Sequence, residues 1–293
     1  KGAIPSAPLD VAIELGFHSL IQVLLEGGAW ATCKDGYCPL THSLEWRRLD
    51  LVQLLVAYGA EPKSVDMIDV FRTWQPAIID YFVEHGADLD ADWPLARALC
   101  EHIRVALGTF KRHQHRYKSF SEQINIALRY HCREGNLKWA SLMLWAGADP
   151  HAPGPGSPWS HDTTDDDDTA LELAAFYKHP EIFDLKAIRL NPLADNAGKI
   201  LCQACWGRSV DLLVRLLELG YPPNDQKNGG SSSVRHCISM INWNYGPVVS
   251  YGADRYSDTE RSRECLKMLS ILVQYGARWV PENGWEINHL RRD

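Results

Sequence analysis

The chain repeats one pattern of apolar and polar positions near its start. Residues 8–16 lead into an apolar run that ends at Gly28-Ala29, and residues 39–47 lead into one that ends at Gly59-Ala60. Pro39 follows Pro8 by 31 residues, as Gly59 follows Gly28. The pattern predicts a unit of two helices, a short one and then a more apolar one, that closes in a sharp turn.

Gly-Ala endings mark further units along the chain. After Gly28-Ala29 and Gly59-Ala60 they recur at Gly86-Ala87, Gly147-Ala148 and Gly276-Ala277, with Gly220-Tyr221 as a degenerate sixth. Glycine adopts the left-handed conformation that ends a helix without steric penalty. The apolar pairs before these endings predict the buried face of each second helix: Leu54-Leu55, Tyr81-Phe82, Leu142-Met143, Leu216-Leu217 and Ile271-Leu272.

The first helices are clearest at 126–136, 169–176 and 201–207. Small residues in the predicted first helices allow neighbouring helices to approach closely: Ala12, Ala174, Ala175 and Ala204. Residues 169–175 resemble the Thr-Pro-Leu-His-x-Ala-Ala opening of an ankyrin repeat, with Ala170 in the place of proline. A helical pair with a Gly-Ala ending and a period near 33 residues also resembles that family.

The resemblance covers about residues 7–280 and is uneven, because the unit at 64–88 lacks the opening and the unit after Ala175 lacks the Gly-Ala ending. It implies an all-α fold, an ankyrin-type α-solenoid of about seven helix-turn-helix repeats, several of them degenerate. We expect a single array over 1–293. Its repeats are expected near 7–29, 38–60, 64–88, 120–150, 168–190, 198–221 and 233–278.

Three insertions interrupt the predicted array. Residues 108–120 are basic and polar, 152–168 are rich in Gly and Pro and then acidic, and 242–259 carry several aromatic residues. Their composition predicts loops without regular structure. Residues 93–107 are expected to form the first helix of an irregular unit, and 279–293 to cap the last repeat.

Composition narrows the classes of function. The formal net charge of -7 gives no global basic field that would attract nucleic acid or anionic lipid. No apolar run approaches the roughly 18 residues of a membrane span, and no signal peptide opens the chain. Eight cysteines, most of them among apolar neighbours in predicted helices, are expected to be reduced. These features favour a cytoplasmic protein.

The ankyrin resemblance also implies a place for a partner. In that family the turn tips and the exposed side of the first helices usually make the contacts. The matching positions in this chain are Tyr37, Glu45, Trp46, Arg133, Glu134, Phe176, Tyr177 and Trp206. The resemblance therefore implies a non-catalytic protein-protein interaction module that holds a protein or peptide on its concave face. The alternative for the aromatic residues is packing against neighbouring helices.

The basic insertion supports a second hypothesis. Its cations, Lys111, Arg112, Arg116 and Lys118, could recognise nucleic acid or a phosphorylated ligand. The alternative is a solvated loop, and the acidic net charge makes nucleic acid the less favoured partner. A third hypothesis is that the repeats are the regulatory part of a longer enzyme or effector chain.

The sequence contains no nucleophile–base set, no phosphate loop and no paired metal motif, so we expect no enzymatic activity, no metal site and no cofactor. Cys202-x-x-Cys205, with His236-Cys237 further on, lacks the spacing of two zinc knuckles, so a core role is favoured. Cys33 and Cys38 bracket a turn tip at a looser spacing, so a metal site there is disfavoured as well. The acidic run 165–168 precedes Thr169 and Glu172, which fit a capping box, so helix capping is favoured over calcium binding.

Overall fold

The computed structural model describes residues 8–33, 37–159, 168–224, 233–245 and 259–278. Helices and turns make up this part of the chain, which contains no β-strand. The α-helices are α1 Pro8–Glu14, α2 His18–Glu26, α3 Pro39–Ser43, α4 Leu49–Ala57, α5 Met67–Arg72, α6 Pro76–Glu84, α7 Pro94–Cys100, α8 Val105–His113, α9 Phe120–Arg133, α10 Leu137–Ala146, α11 Ala170–Phe176, α12 Ala197–Trp206, α13 Val210–Glu218, α14 Ser233–Tyr245 and α15 Thr259–Gln274. Short 3-10 helices lie at Leu44–Trp46, Pro62–Ser64 and Pro180–Asp184.

The helices follow one another in pairs, and the Pro180–Asp184 segment takes the place of a second helix after α11. First helices pack against the next first helix, as α5 does against α7 and α12 against α14. Second helices likewise pack against the next second helix, as α4 does against α6 and α13 against α15. This stacking of helix-turn-helix units confirms the predicted all-α solenoid.

The described residues contain eight pairs, one more than expected, because α7 and α8 form a complete unit. The prediction that 108–120 is an irregular loop is therefore wrong for residues 108–113, which belong to α8. Ala106, Leu107 and Phe110 bury one face of this helix. The basic residues that suggested a loop occupy its last turn, where cations interact favourably with the helix dipole.

The ends of the second helices are as predicted. All six marker glycines have positive φ: Gly28, Gly59, Gly86, Gly147, Gly220 and Gly276. In the apolar pairs before them the second residue is buried each time: Leu55, Phe82, Met143, Leu217 and Leu272. The degenerate ending at Gly220 works in the same way, since Tyr221 is buried in the place of the usual alanine.

A second regular mark lies at the ends of the first helices. In the pairs whose first-helix end is described, the chain turns through a residue with positive φ: Gly16, Arg47, Trp74, His102, Gly135, Lys178 and Arg208. The amide that follows donates back into the helix, as His179 N does to Ala174 O at 2.9 Å. Because most of these residues are not glycine, the sequence did not reveal this mark.

Small residues bring neighbouring first helices together as predicted. Ala12, Ala174, Ala175 and Ala204 are fully buried. Gly207 extends this close approach, because a Cβ added there would lie 2.4 Å from the carbonyl oxygens of Ala175 and Phe176.

Two compact units can be distinguished, and each is described by itself. The first holds the described residues up to Ala127 together with 146–148 and 157–159. The second holds 128–145, 149–156 and the described residues from Asp168 onward. The single array over 1–293 stays a prediction.

The other insertions are described in part. Residues 152–159 contain no helix or strand. Arg129, which is fully buried in α9, donates to the carbonyl oxygens of Ala152 and Pro155 at 3.0 and 2.8 Å. The insertion at 242–259 starts later than predicted, because α14 continues to Tyr245. Residues 160–167, 246–258 and the expected cap at 279–293 lie outside the described residues.

The cysteines depart from expectation at one pair. Cys33 and Cys38 are joined by a disulfide, so the expectation of reduced cysteines is wrong there. The six other cysteines are free thiols. None of the described helices is both long and apolar enough to cross a membrane.

Candidate functional site

Trp46 ends the 3-10 helix of the second pair and is fixed from the first pair. Its indole Nε1 donates to the carbonyl oxygen of Ile13 at 2.6 Å. The six-membered ring packs on Gly16, where an added Cβ would meet ring atoms at 3.1 to 3.3 Å. The side chain still exposes 43% of its surface. Trp46 is therefore both a packing residue and an exposed one.

Tyr37 of the same compact unit is half-buried and stacks on His42, with ring centroids 4.5 Å apart. Burial and the nearby carboxylates of Asp10, Glu14 and Glu45 raise the pKa of the Tyr37 hydroxyl. A phenol with such neighbours stays protonated. Glu45 has the smallest of these effects on the pKa of Tyr37, and Glu45 is exposed.

In the second compact unit, three of the predicted residues come together at the ends of α9 and α11. The guanidinium of Arg133 lies 4.9 Å from the centre of the Tyr177 ring, a cation–π distance. Phe176 meets Tyr177 edge to face, with centroids 5.0 Å apart, and is 38% exposed. Glu134 is exposed beside Arg133.

Trp206, at the end of α12, stacks on His236 of α14 with ring centroids 3.7 Å apart. Trp206 remains 47% exposed, whereas His236 is buried. Burial lowers the pKa of His236 to about 4, so its imidazole is neutral at pH 7. The Nε2 atom of His236 finds no hydrogen-bond partner in the described part of the chain. The sequence suggested no role for His236 as the support of an exposed tryptophan.

The thiols of this region behave as core groups. Cys205 is fully buried, as predicted, and lies within hydrogen-bond reach of Cys237 of α14. This contact and burial raise the pKa of Cys205, and burial raises the pKa of Cys202 to about 11. Protonated thiols are poor nucleophiles and poor metal ligands. Among the described residues no group of three His, Cys, Asp or Glu side chains is placed to hold a metal ion.

The basic segment is divided between α8 and the turn before α9. Arg112 forms an ion pair with Asp80 at 2.5 Å. The guanidinium of Arg116 lies 5.4 Å from the ring centre of Tyr117, which stacks in turn on the buried Phe120. Lys111 and Lys118 are exposed. Arg112, a predicted phosphate-binding cation, is thus already neutralised by a carboxylate.

The capping box predicted before α11 is confirmed. Glu172 N donates to Thr169 Oγ1 at 3.3 Å, and Thr169 N donates to Glu172 Oε2 at 2.9 Å. Lys199 Nζ lies 2.9 Å from Asp168 and 3.1 Å from the buried Glu172. Burial raises the pKa of Glu172 in spite of this cation. Asp168 therefore forms an ion pair just before α11, and the rest of the acidic run lies outside the described residues.

Comparison with known proteins gives likenesses to solved structures only. No family model matches the chain, and no curated protein matches it. Among solved structures the chain is similar to the crystal structure of the human ASB11 ankyrin repeat domain, over 94% of this chain and all of that one. The sequence identity is 11% and the TM-score 0.34.

Proposed function

We propose that the chain is a non-catalytic interaction module that binds a protein or peptide partner through the ends of its first helices. One observation carries the proposal. Trp46, Phe176 and Trp206 each occupy such an end, each packs against a neighbouring side chain or backbone, and each still exposes between 38% and 47% of its surface.

An aromatic ring that is held from one side suits binding. The ring loses little conformational entropy when a partner covers its other side, because its rotamer is already fixed by packing. Tryptophan, tyrosine and arginine also supply a large share of the binding energy at interface centres. In the second compact unit Arg133 and Phe176 both contact Tyr177, so a fixed guanidinium accompanies the exposed ring of Phe176.

The chemistry at these ends supports recognition rather than catalysis. The thiols of Cys202 and Cys205 have raised pKa values, and the phenol of Tyr37 does too. The imidazole of His236 is buried beneath Trp206 and cannot reach a bound molecule while that stack is intact. A module of this kind contributes shape, rings and charges to a partner without an activated group.

The test starts from a library of random twelve-residue peptides selected against the intact chain. Enriched peptides are synthesised, their dissociation constants measured, and their binding position mapped by hydrogen exchange along the chain. The informative variant is Phe176→Ala, because the phenyl ring meets Tyr177 edge to face and has no hydrogen-bonding group that the fold could lose. Its loss should weaken a peptide that binds the second unit by about tenfold.

Trp145→Ala is the matched control. Trp145 is 64% exposed and lies on a second helix, α10. Trp145→Ala therefore removes at least as much exposed ring, at a position away from the first-helix ends. We expect it to change peptide affinity less than twofold. The proposal fails if no peptide is enriched, or if hydrogen-exchange protection falls on second helices and Trp145→Ala weakens binding as much as Phe176→Ala.

A further inference from the structure

The first compact unit carries an acidic patch around the exposed Trp46. We define this acidic patch as Asp10, Glu14, Tyr37, Glu45 and Trp46. Asp10 and Glu14 stand one turn apart on α1, and Glu45 precedes Trp46 in the 3-10 helix. The indole of Trp46 contacts Ile13 and Gly16, which lie on either side of Glu14 in the chain. The three carboxylates raise the pKa of the Tyr37 hydroxyl. Glu14 and Glu45 are exposed, and Asp10 is half-buried.

The carboxylates on later first helices of this unit are already neutralised. Asp69 occupies the third position of α5, as Asp10 does in α1, and accepts from Arg72 at 3.0 Å. Arg72 also binds Glu101 at 2.6 Å, and Arg97 binds Asp66 at 3.0 Å. The first helices of pairs three and four therefore carry their own cations.

Glu14 and Glu45 form no ion pair with a described residue, and residues 1–7 and 34–36 lie outside the described part of the chain. Of the two cations that follow Trp46, Arg48 is held by Asp50 through two bonds of 3.0 and 2.5 Å. Arg47 is exposed and makes no ion pair with the patch in the described part of the chain. Two exposed negative charges are thus left beside an exposed indole.

We propose that this patch binds an arginine-bearing or lysine-bearing segment of a protein partner, with the cation between the carboxylates of Glu14 and Glu45 and against the ring of Trp46. This inference rests on the proposed function and names the chemistry of the partner. Tryptophan is the best aromatic partner of a cation, and carboxylates bind guanidinium through strong, directed hydrogen bonds.

The indole suits this task because its position is fixed before binding. The bond from Nε1 to Ile13 O and the packing on Gly16 hold the ring against the first pair. A cation that approaches from solvent meets a ring that does not have to reorient. The acidic neighbours also repel phosphate, so the same patch disfavours nucleic acid.

The experiment uses the full chain and three labelled nine-residue peptides, in which every third residue is Arg, Lys or Glu and the others are Gly and Ser. Binding is followed by fluorescence anisotropy at 50 and 300 mM salt. The test variant is Glu14→Gln with Glu45→Gln. The control, Glu84→Gln with Glu218→Gln, removes the same charge from two other exposed helix ends.

We expect the arginine peptide to bind the wild type, and the test variant to bind it about fivefold more weakly. The control should change the affinity less than twofold, and the glutamate peptide should not bind. Equal loss in both variants would show that only the net charge attracts the peptide, and absence of binding by both cationic peptides would also overturn the inference. Unchanged melting curves confirm that the variants are folded.

Failure here and failure of the proposed function look different. If the peptide library enriches neutral or acidic sequences that protect first-helix ends, the interaction module stands and the basic partner is wrong. If the library enriches nothing while the arginine peptide distinguishes the two variants, the patch binds cations and the broader peptide-binding proposal is wrong.

Discussion

The substitution Gly207→Ala tests how closely the ends of α11 and α12 approach each other. This approach sets the spacing between the exposed rings of Phe176 and Trp206. Gly207 has φ of -69° and ψ of -10°, values that alanine adopts without strain. The obstacle is space alone, because the added methyl carbon would lie 2.4 Å from the carbonyl oxygens of Ala175 and Phe176. Both atoms belong to the backbone and cannot rotate away.

The magnitude follows from two opposed effects. Overpacking of this kind costs about 1–3 kcal/mol, since the ends of α11 and α12 must separate. Replacing glycine by alanine also restricts the unfolded chain, which stabilises the fold by about 0.4–1 kcal/mol. We expect a net loss of about 1–2 kcal/mol in the free energy of unfolding. The loss should be concentrated at the interface between these two repeats.

The assay combines urea unfolding followed by circular dichroism with hydrogen exchange resolved by helix, because repeat arrays need not unfold in one step. Gly207→Ala should lower the urea midpoint and speed exchange in α11 and α12. Gly108→Ala is the matched control, since its added Cβ has only the Arg112 guanidinium nearby, at 3.6 Å. Gly108 lies within α8, so alanine there should raise stability by about 0.5–1 kcal/mol.

The result that refutes this reasoning is simple to recognise. If Gly207→Ala unfolds at the same or a higher urea concentration than the wild type, as Gly108→Ala should, the two helix ends do not approach as closely as described.

Three further predictions concern single groups. Stability should fall as pH drops from about 6.5 towards 4, because burial lowers the pKa of His236 to about 4 and the unfolded chain takes up the proton first; His236→Gln should flatten this part of the pH dependence of the urea midpoint, and an unchanged slope would contradict it. Thr169→Ala should cost about 1 kcal/mol in urea unfolding through loss of the capping box, whereas Thr169→Ser should cost far less. Trp46→Phe should lower the free energy of unfolding by about 1 kcal/mol, because an aromatic side chain remains but the hydrogen bond to Ile13 is lost. A melting temperature equal to that of the wild type would count against this bond.

The features that could be predicted from the sequence are local ones. The Gly-Ala endings, the apolar pair before each of them and the Thr169–Glu172 box depend on residues within a few positions of one another. Left-handed glycine and capping by a hydroxyl are properties of short segments, so they can be recognised without knowledge of the fold.

The features that were missed depend on competition or on distance. The last turn of α8 carries three basic residues, and their charge hid a helix whose other face buries Phe110. Left-handed turns at Arg47 and Lys178 gave no signal, because the repeat geometry imposes them on residues that do not favour them. The support of Trp206 by His236 joins residues 30 positions apart, which no local pattern indicates.

The three exposed rings differ in how much of the fold depends on them, and this decides which variant can report on binding. Trp46 donates a hydrogen bond to Ile13 and covers Gly16, so its removal would disturb the first two pairs even without a partner. Removal of Trp206 would uncover the buried imidazole of His236. Phe176 meets Tyr177 edge to face and has no hydrogen-bonding group, so its truncation removes an exposed ring without breaking a polar contact of the fold. A loss of affinity in Phe176→Ala at constant stability can therefore be assigned to the partner contact, whereas the same loss in a tryptophan variant could not.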